Sequence, residues 1–210
     1  SHLDAGRLPR VLDPACGSGI FLATLFQRMA GHLHAPSWED LKHLATCLHG
    51  LDINHTAIRI SAFSLSLALL HRRTPKELQE RMENEGSILP QLLHQTLHVR
   101  DFFDHPAHEQ YDCIIGNPPW GSPKQQTKSS GELWLDAQRS AEAKKKRKYP
   151  EPPNRERSWP FIWKSLEHLS PQAPLALLLP STGFFLNDVK ASLVRLLDFA
   201  RLSKLIDLSD

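Results

Sequence analysis

The strongest constraint on the fold is a repeated alternation of short apolar segments with longer segments of helical periodicity. Apolar strands that alternate with helices are typical of a parallel sheet covered by helices on both faces. The sequence therefore predicts an α/β fold with a mostly parallel sheet. The predicted strands are 10–13, 50–53, 96–100, 111–116, 175–179 and 205–208, and the predicted helices are 19–29, 38–48, 56–71, 76–84, 132–143, 161–169 and 188–200.

Length and composition exclude several classes of protein. The 210 residues suffice for one domain with a substantial core, and 40% hydrophobic with 23% charged residues is ordinary for a globular chain. No apolar run approaches the roughly 18 residues that a membrane-spanning helix needs, and no secretory signal opens the sequence. The 3 cysteines form no CxxC pair, which predicts a reducing, cytoplasmic setting. The 12 histidines lack the spacing of a ligand set, so we predict no metal site.

The first candidate binding element is a glycine-rich turn, DPACGSG at 13–19, between a predicted strand and a predicted helix. Glycines let the backbone turn sharply and approach a ligand closely. The turn is not a dinucleotide fingerprint, because Leu22 occupies the place of the third glycine. Taken alone, it is also compatible with a simple tight turn. The residues predicted to bind a ligand here are Asp13, Ala15, Cys16, Gly17 and Gly19.

Two further acidic residues lie at or just after predicted strands. Asp52 can accept both hydroxyl hydrogens of a ribose, and Ile53 offers an apolar face to an adenine ring. Asp101 can accept from an adenine amino group while Phe102 packs nearby. Because ligands of doubly wound sheets bind at the carboxyl ends of strands, we expect these groups to converge with Asp13. Singly, each is equally consistent with a helix cap or a core aromatic residue.

The most specific motif is Asn117-Pro118-Pro119-Trp120, directly after a predicted strand. Pro118 forces Asn117 into an extended conformation, and the prolines stiffen the segment. The Asn117 amide oxygen and the Pro118 carbonyl become fixed acceptors for a planar amino group, which frees the nitrogen lone pair to attack an electrophilic methyl. Trp120 supplies a flat face for a base extruded from a duplex.

The order DPACGSGIFL, GLDIN, DFFD and IIGNPPW resembles the gamma group of adenine-N6 DNA methyltransferases, above all the large single-chain type of restriction–modification and phage-defence systems. The similarity runs from Val11 to about Asp207 and includes LLLPS at 177–181. These enzymes commonly have Tyr or Phe at the position of Trp120. The resemblance implies a Rossmann-like fold, S-adenosylmethionine held by the three upstream motifs, and a target adenine held by Asn117, Pro118 and Trp120.

The resemblance also implies which parts of a parent protein this chain corresponds to. Residues 1–210 are expected to be a catalytic domain, as a fragment of a longer protein. The expected partners are double-stranded DNA with a flipped adenine and other domains of the parent, namely a target recognition domain and a nuclease or helicase.

A basic segment follows the catalytic motif. Between Gly121 and Arg157 there are ten Lys or Arg against five Asp or Glu. We interpret about 121–158 as a flexible basic loop that attracts DNA phosphates, with a solvated charged loop as the alternative. The residues predicted to contact DNA are Lys144, Lys145, Lys146, Arg147 and Lys148.

The sequence leaves three alternatives to DNA methylation open. The same amine chemistry serves methylation of RNA and of protein glutamine side chains. A non-catalytic module that binds the cofactor or DNA is the third. Methylation of a ring carbon is disfavoured because the chain has no Pro-Cys nucleophile.

Overall fold

The computed structural model describes residues 7–122, 127–141, 149–181 and 189–207. Within them, one sheet contains β1 (Val11–Asp13), β2 (Leu48–Asp52), β3 (Leu97–Val99), β4 (Cys113–Gly116) and β5 (Leu175–Leu177), in the order β3-β2-β1-β4-β5. The strand β1 pairs in parallel with both β2 and β4, and β2 pairs in parallel with β3. The predicted parallel α/β sheet is confirmed. The strand order changes direction between β1 and β4, and sheets of this kind bind ligands at such a switch point.

Seven α-helices and two short 3₁₀ segments connect and follow the strands in the described residues. The α-helices are α1 (Ile20–His32), α2 (Trp38–Thr46), α3 (His55–Leu70), α4 (Pro75–Glu85), α5 (Ser130–Ala141), α6 (Ser158–Glu167) and α7 (Lys190–Phe199). The 3₁₀ segments are Phe102–Asp104 and Pro153–Arg155. No helix in the described parts of the chain is both long and apolar enough to cross a membrane.

Two helices begin at capping boxes that are visible in the sequence. Before α2, the Ser37 hydroxyl accepts from the Asp40 amide at 3.1 Å, and the Asp40 carboxylate accepts from the Ser37 amide at 2.8 Å. Thr74 and Glu77 make the same exchange at the start of α4. Each cap satisfies amide groups that the first helical turn leaves without partners, which is worth about 1 kcal/mol.

The chain divides into two compact units. The first contains the described residues of 1–116 and 169–176, and its core is apolar. Strand β1 is buried along its whole length, and α1 contributes Leu22 and Phe26, each 0% exposed. Helix α3 adds Leu65 and Leu69, also 0% exposed. The strand ends that carry the glycine-rich turn and Asp52 are therefore anchored in a rigid core.

The second unit contains the described residues of 117–168 and 177–210, and its core is aromatic. The rings of Tyr149 and Trp163 stack with centroids 5.1 Å apart, and Trp159 lies 5.5 Å from Trp163. The Tyr149 hydroxyl donates to the Glu167 carboxylate at 2.7 Å, which satisfies the polar end of a buried ring. This cluster fixes α6 beside the segment that carries Tyr149.

The predicted elements agree with the structure apart from their ends and one strand. Residues 205–207 were predicted to begin a strand, but they lie outside any strand, and Leu205 and Ile206 are 55% and 62% exposed. An apolar run forms a strand only when a neighbouring strand accepts its hydrogen bonds, and these described residues have no such pairing. Within the basic segment, the helix predicted at 132–143 is confirmed as α5, which spans 130–141. That 1–210 acts as one catalytic domain stays a prediction.

Candidate active site

The glycine-rich turn follows β1 and is shaped by its own side chains and amides. The Asp13 carboxylate accepts from the Ala15 amide at 3.1 Å, and the Cys16 amide donates to the Leu51 carbonyl of β2 at 2.9 Å. Gly17 and Gly19 have φ angles of +53° and +76°, in the left-handed region that favours glycine. A side chain added at Gly17 would meet no described atom within 4 Å, so the backbone there borders open space. This is the surface that a ligand could approach.

Asp52 ties the glycine-rich turn to the end of β2. Its Oδ2 accepts from the Gly17 amide at 3.0 Å, and its Oδ1 accepts from the Asn54 amide at 2.8 Å. Each carboxylate oxygen can accept a second hydrogen bond, and Asp52 is only partly buried. The carboxylate therefore holds the turn in place and can still receive ligand hydroxyls. The neighbouring Ile53 is 73% exposed, as an apolar platform for a ring requires.

Asp13 is a buried carboxyl with an unusual electrostatic environment. It is 0% exposed, and its Oδ2 has no hydrogen-bond partner in the described part of the chain. Burial raises the pKa of Asp13 to about 7, the Ala15 amide partly opposes this, and the Asp52 charge adds to it. An unpartnered buried oxygen in the same turn as Gly17 fits a site that receives a cationic or hydrogen-donating ligand.

The third predicted motif places one of its two phenyl rings in the core. The Asp101 carboxylate accepts from the Phe103 amide at 2.9 Å and so caps the 3₁₀ turn. Phe102 is 2% exposed, whereas Phe103 is partly exposed, and the two ring centroids lie 5.8 Å apart. Phe102 thus supports the turn from inside, and Phe103 offers the more accessible ring. That Asp101 and Phe102 bind a cofactor stays a prediction.

Gly116, the last residue of β4, was not singled out from the sequence. A Cβ atom there would lie 2.6 Å from Asp13 Oδ1 and 3.2 Å from Pro14 Cδ, closer than ordinary contacts allow. Only glycine lets β4 pass beside the buried carboxyl. Asn117 is the next residue along the chain, so the strand that leads into the Asn117 to Trp120 segment packs on Asp13.

The segment Asn117 to Trp120 belongs to the second unit and combines exposed and anchored groups. Asn117, Pro119 and Trp120 are exposed, and Pro118 is buried. Trp120 is 46% exposed, and its indole Nε1–H donates to the Leu178 carbonyl at 3.1 Å. The ring is thus held by its edge while part of its surface remains open. Leu178 lies in the LLLPS segment noted in the sequence.

Burial raises the pKa of the Cys16 thiol to about 12 and that of Cys113 to about 11, so neither is a ready nucleophile near neutral pH. No cluster of three or more potential metal ligands occurs among the described residues. The predicted DNA-contacting residues, Lys144, Lys145, Lys146, Arg147 and Lys148, lie outside the described residues.

The sequence is similar to restriction–modification methyltransferases. Residues 46–210 match the family model described as Eco57I restriction-modification methylase. The chain is 27% identical over 117 residues to the Type II methyltransferase M.PaeR7I of Pseudomonas aeruginosa, covering 55% of this chain and 19% of the relative. It is 23% identical over 145 residues to the adenine-specific methyltransferase PglX of Streptomyces coelicolor, covering 53% of this chain and 12% of the relative. The chain thus spans about a fifth or less of these relatives.

The fold of this chain is similar to that of solved restriction–modification enzymes. The chain superposes with a TM-score of 0.56 and 16% identity on a nuclease-deletion mutant of the Type ISP restriction–modification enzyme LlaGI in complex with a DNA substrate mimic. The superposition covers 82% of this chain and 15% of that one.

Proposed function

We propose that this chain, which belongs to the Eco57I restriction-modification methylase family, transfers a methyl group from S-adenosylmethionine to the N6 amine of adenine in DNA. The observation that carries the proposal is the Asn117 to Trp120 segment, in which an exposed asparagine precedes a tryptophan anchored by its indole N–H. That one relative is an adenine-specific methyltransferase supports adenine as the base.

The proposed catalytic residues act on the amine of the base. The Asn117 side-chain oxygen and the Pro118 carbonyl accept its two N–H groups, which favours a tetrahedral nitrogen with a free lone pair. Pro119 keeps the segment stiff, and Trp120 stacks on a flipped base with its exposed ring surface. Such stacking is worth about 1–3 kcal/mol per base. Holding these groups in place before the base arrives is the main contribution of this segment to rate.

The proposed cofactor site lies at the carboxyl ends of β1, β2 and β3. S-adenosylmethionine supplies an electrophilic methyl group when it is bound. Gly17 lets the ligand approach the backbone, Asp52 accepts from ribose hydroxyls, and Ile53 packs on the adenine ring. Asp13 offers its unpartnered oxygen to the cationic end of the ligand, and Asp101 accepts from the adenine amine. The remaining members of the proposed site are Ala15, Cys16, Gly19 and Phe102.

The proposed partners are a DNA duplex and further domains of a longer protein. Lys144 to Lys148 would neutralise phosphates without reading sequence, which steers DNA to the protein. A target recognition domain would choose the methylated sequence. The long relatives, of which this chain matches about a fifth or less, support such a setting.

A methyl-transfer panel tests the substrate. Labelled S-adenosylmethionine is incubated with wild type and DNA, RNA or protein, and we expect label in DNA adenine. The Asn117→Ala variant should lose about 100-fold or more of the rate, as when one preorganised catalytic hydrogen-bonding group is removed. Asn84→Ala, on the surface of α4, is the matched control and should keep the wild-type rate. Label in RNA or protein alone would overturn the DNA assignment.

Calorimetric titration tests the cofactor site independently of turnover. Asp52→Ala should weaken S-adenosylmethionine binding at least tenfold, because it removes the ribose acceptor and releases the Gly17 amide. Asp198→Ala, an exposed residue of α7, should bind as wild type does. Equal affinities for all three proteins would refute the site.

A further inference from the structure

Glu156 is a buried carboxylate bound to the residue that follows the proposed catalytic segment. It is 8% exposed, and its Oε1 accepts from the Gly121 amide at 2.8 Å. The two residues are 35 positions apart in the chain, so the contact is made by the fold. Because Gly121 is bonded directly to Trp120, this hydrogen bond fixes the C-terminal end of the segment that would hold the base.

The backbone beside Glu156 reinforces the same contact. The Arg157 amide donates to the Gly121 carbonyl at 3.3 Å, so both polar backbone groups of Gly121 are bound by residues 156 and 157. The Ser122 hydroxyl donates to the Asn154 carbonyl. Gly121 itself has a φ of +81°, which favours glycine. The chain after Trp120 is therefore held along the segment 154–157.

The turn that presents Glu156 is itself strained and braced. Asn154 and Arg155 both have left-handed backbones, with φ of +50° and +55°, which is unfavourable for residues with side chains. The Arg155 guanidinium donates to both Glu132 oxygens, at 2.6 and 3.1 Å, and lowers the pKa of Glu132 to about 2. Helix α5 thus stabilises a backbone conformation that residues with side chains disfavour. This conformation places the Glu156 carboxylate within hydrogen-bond distance of the Gly121 amide.

A simpler role for Glu156 would be to cap α6. Its Oε1 also accepts from the Ser158 amide at 3.4 Å and from the Ser158 hydroxyl at 3.3 Å, and a carboxylate is favourable at a helix N-terminus. Both contacts are longer than the 2.8 Å bond to Gly121. The geometry therefore favours the contact with Gly121 as the stronger of the two interactions.

We propose that Glu156 is a positioning residue for methyl transfer, holding the Gly121 amide so that Trp120 and the Asn117 and Pro118 acceptors keep a fixed geometry. The inference rests on the proposed function, because it assigns Glu156 to the same reaction. It extends that function by naming a residue which touches neither base nor cofactor and acts through the backbone of the catalytic segment.

Hydrogen exchange of the Gly121 amide tests the contact without any turnover. In Glu156→Ala the exchange rate should rise roughly tenfold or more, as expected when a hydrogen bond to a charged group is lost. If the alanine variant does not fold, Glu156→Asp replaces it in the test. It keeps a charge near α6 but shortens the side chain, so it should show the same loss of protection. Glu156→Gln keeps an acceptor oxygen and should retain most protection. Ser158→Ala removes the hydroxyl contact with Glu156 at the start of α6, leaves the Gly121 contact intact, and should exchange as wild type does.

Steady-state kinetics on DNA test the consequence for catalysis. In Glu156→Ala, kcat should fall about 10- to 100-fold, as for a small misplacement of reacting groups, with an unchanged KM for S-adenosylmethionine. Glu156→Gln should recover most of kcat, and Ser158→Ala should keep it. Equal Gly121 protection in Glu156→Ala and Ser158→Ala, or lost protection with an unchanged kcat, would overturn the proposal. A wild type that methylates no DNA would instead refute the proposed function, while the exchange data still decide whether Glu156 holds Gly121.

Discussion

Replacing Asp13 by asparagine changes one buried carboxyl into a neutral group of nearly the same shape. The structure places this carboxyl at 0% exposure with one unpartnered oxygen, and its pKa is about 7 instead of 3.8. Because the folded state binds this proton more tightly than the unfolded state, Asp13 contributes stability that is fully present below pH 3.8. That contribution is lost as the pH rises through about 7. The asparagine variant has no such proton to lose.

The size of the effect follows from the two pKa values. Each pKa unit corresponds to about 1.4 kcal/mol, so the change from 3.8 to about 7 is worth up to about 4 kcal/mol. In the variant, an NH₂ donor takes the place of the unpartnered oxygen of Asp13. Burying this donor costs about 1–3 kcal/mol of stability at every pH. The variant should therefore be the less stable protein near pH 4 and the more stable one above pH 8. The difference in unfolding free energy should change by up to about 4 kcal/mol between them.

Urea unfolding at several pH values measures this difference, and ¹³C NMR titration of the carboxyl measures the pKa directly. Subtracting the free energy of unfolding of wild type from that of the variant removes the contributions of other titrating groups. One such group is His49, whose pKa burial lowers to about 4 and whose contribution to stability rises with pH instead of falling. Asp40→Asn is the control. Hydrogen bonds with Ser37 lower the pKa of Asp40, so replacing this carboxylate should destabilise the protein most at neutral pH. A pH-independent difference for Asp13→Asn would refute this account of the buried carboxyl.

Four further substitutions, in two pairs, test the glycine-rich turn and the Asn117 to Trp120 segment. Gly19→Ala should destabilise by about 3 kcal/mol in chemical denaturation, because it combines a left-handed backbone with a Cβ 2.9 Å from Ser61 Cα. Gly17→Ala, with the same backbone strain but open space, should cost only about 1 kcal/mol, and equal costs would contradict the packing argument. Trp120→Phe keeps a stacking face but loses the bond to Leu178, so kcat should fall about 2- to 10-fold. Trp120→Ala should show a larger fall of kcat in the same methyl-transfer assay, since the stacking surface is also removed.

The parts of the fold that the sequence predicts correctly are those encoded by neighbouring residues. The helices were predicted from apolar residues at helical spacing, and continuous apolar strands indicate a parallel sheet. The turn at 13–19 and Asp52 are likewise readable, because a strand end, glycines and an acidic residue occur at short spacing. The predicted strand at 205–208 failed in its described part because apolar character alone does not supply a partner strand.

The features that sequence reasoning missed depend on contacts between distant residues. Glu156 lies in a basic segment with no local motif, and only the fold brings it to Gly121. Gly116 gave no signal because the need for glycine comes from Asp13, which follows a different strand. The burial of Phe102 depends on the 3₁₀ turn that Asp101 caps, and nothing in the pair Phe102-Phe103 says which ring faces inward.

The buried carboxyl of Asp13 also links stability to function. Above pH 7 its ionised form costs the fold free energy, and nothing among the described residues offers its Oδ2 a partner. An asparagine would avoid the charge, so the carboxylate supports the proposal that a ligand supplies positive charge or hydrogen-bond donors at this position. Asp13→Asn should accordingly raise stability above pH 8 and, in the same protein, weaken S-adenosylmethionine binding measured by calorimetry. A variant that gains stability and keeps full affinity would separate Asp13 from the cofactor site and leave it a role only in the packing of β4.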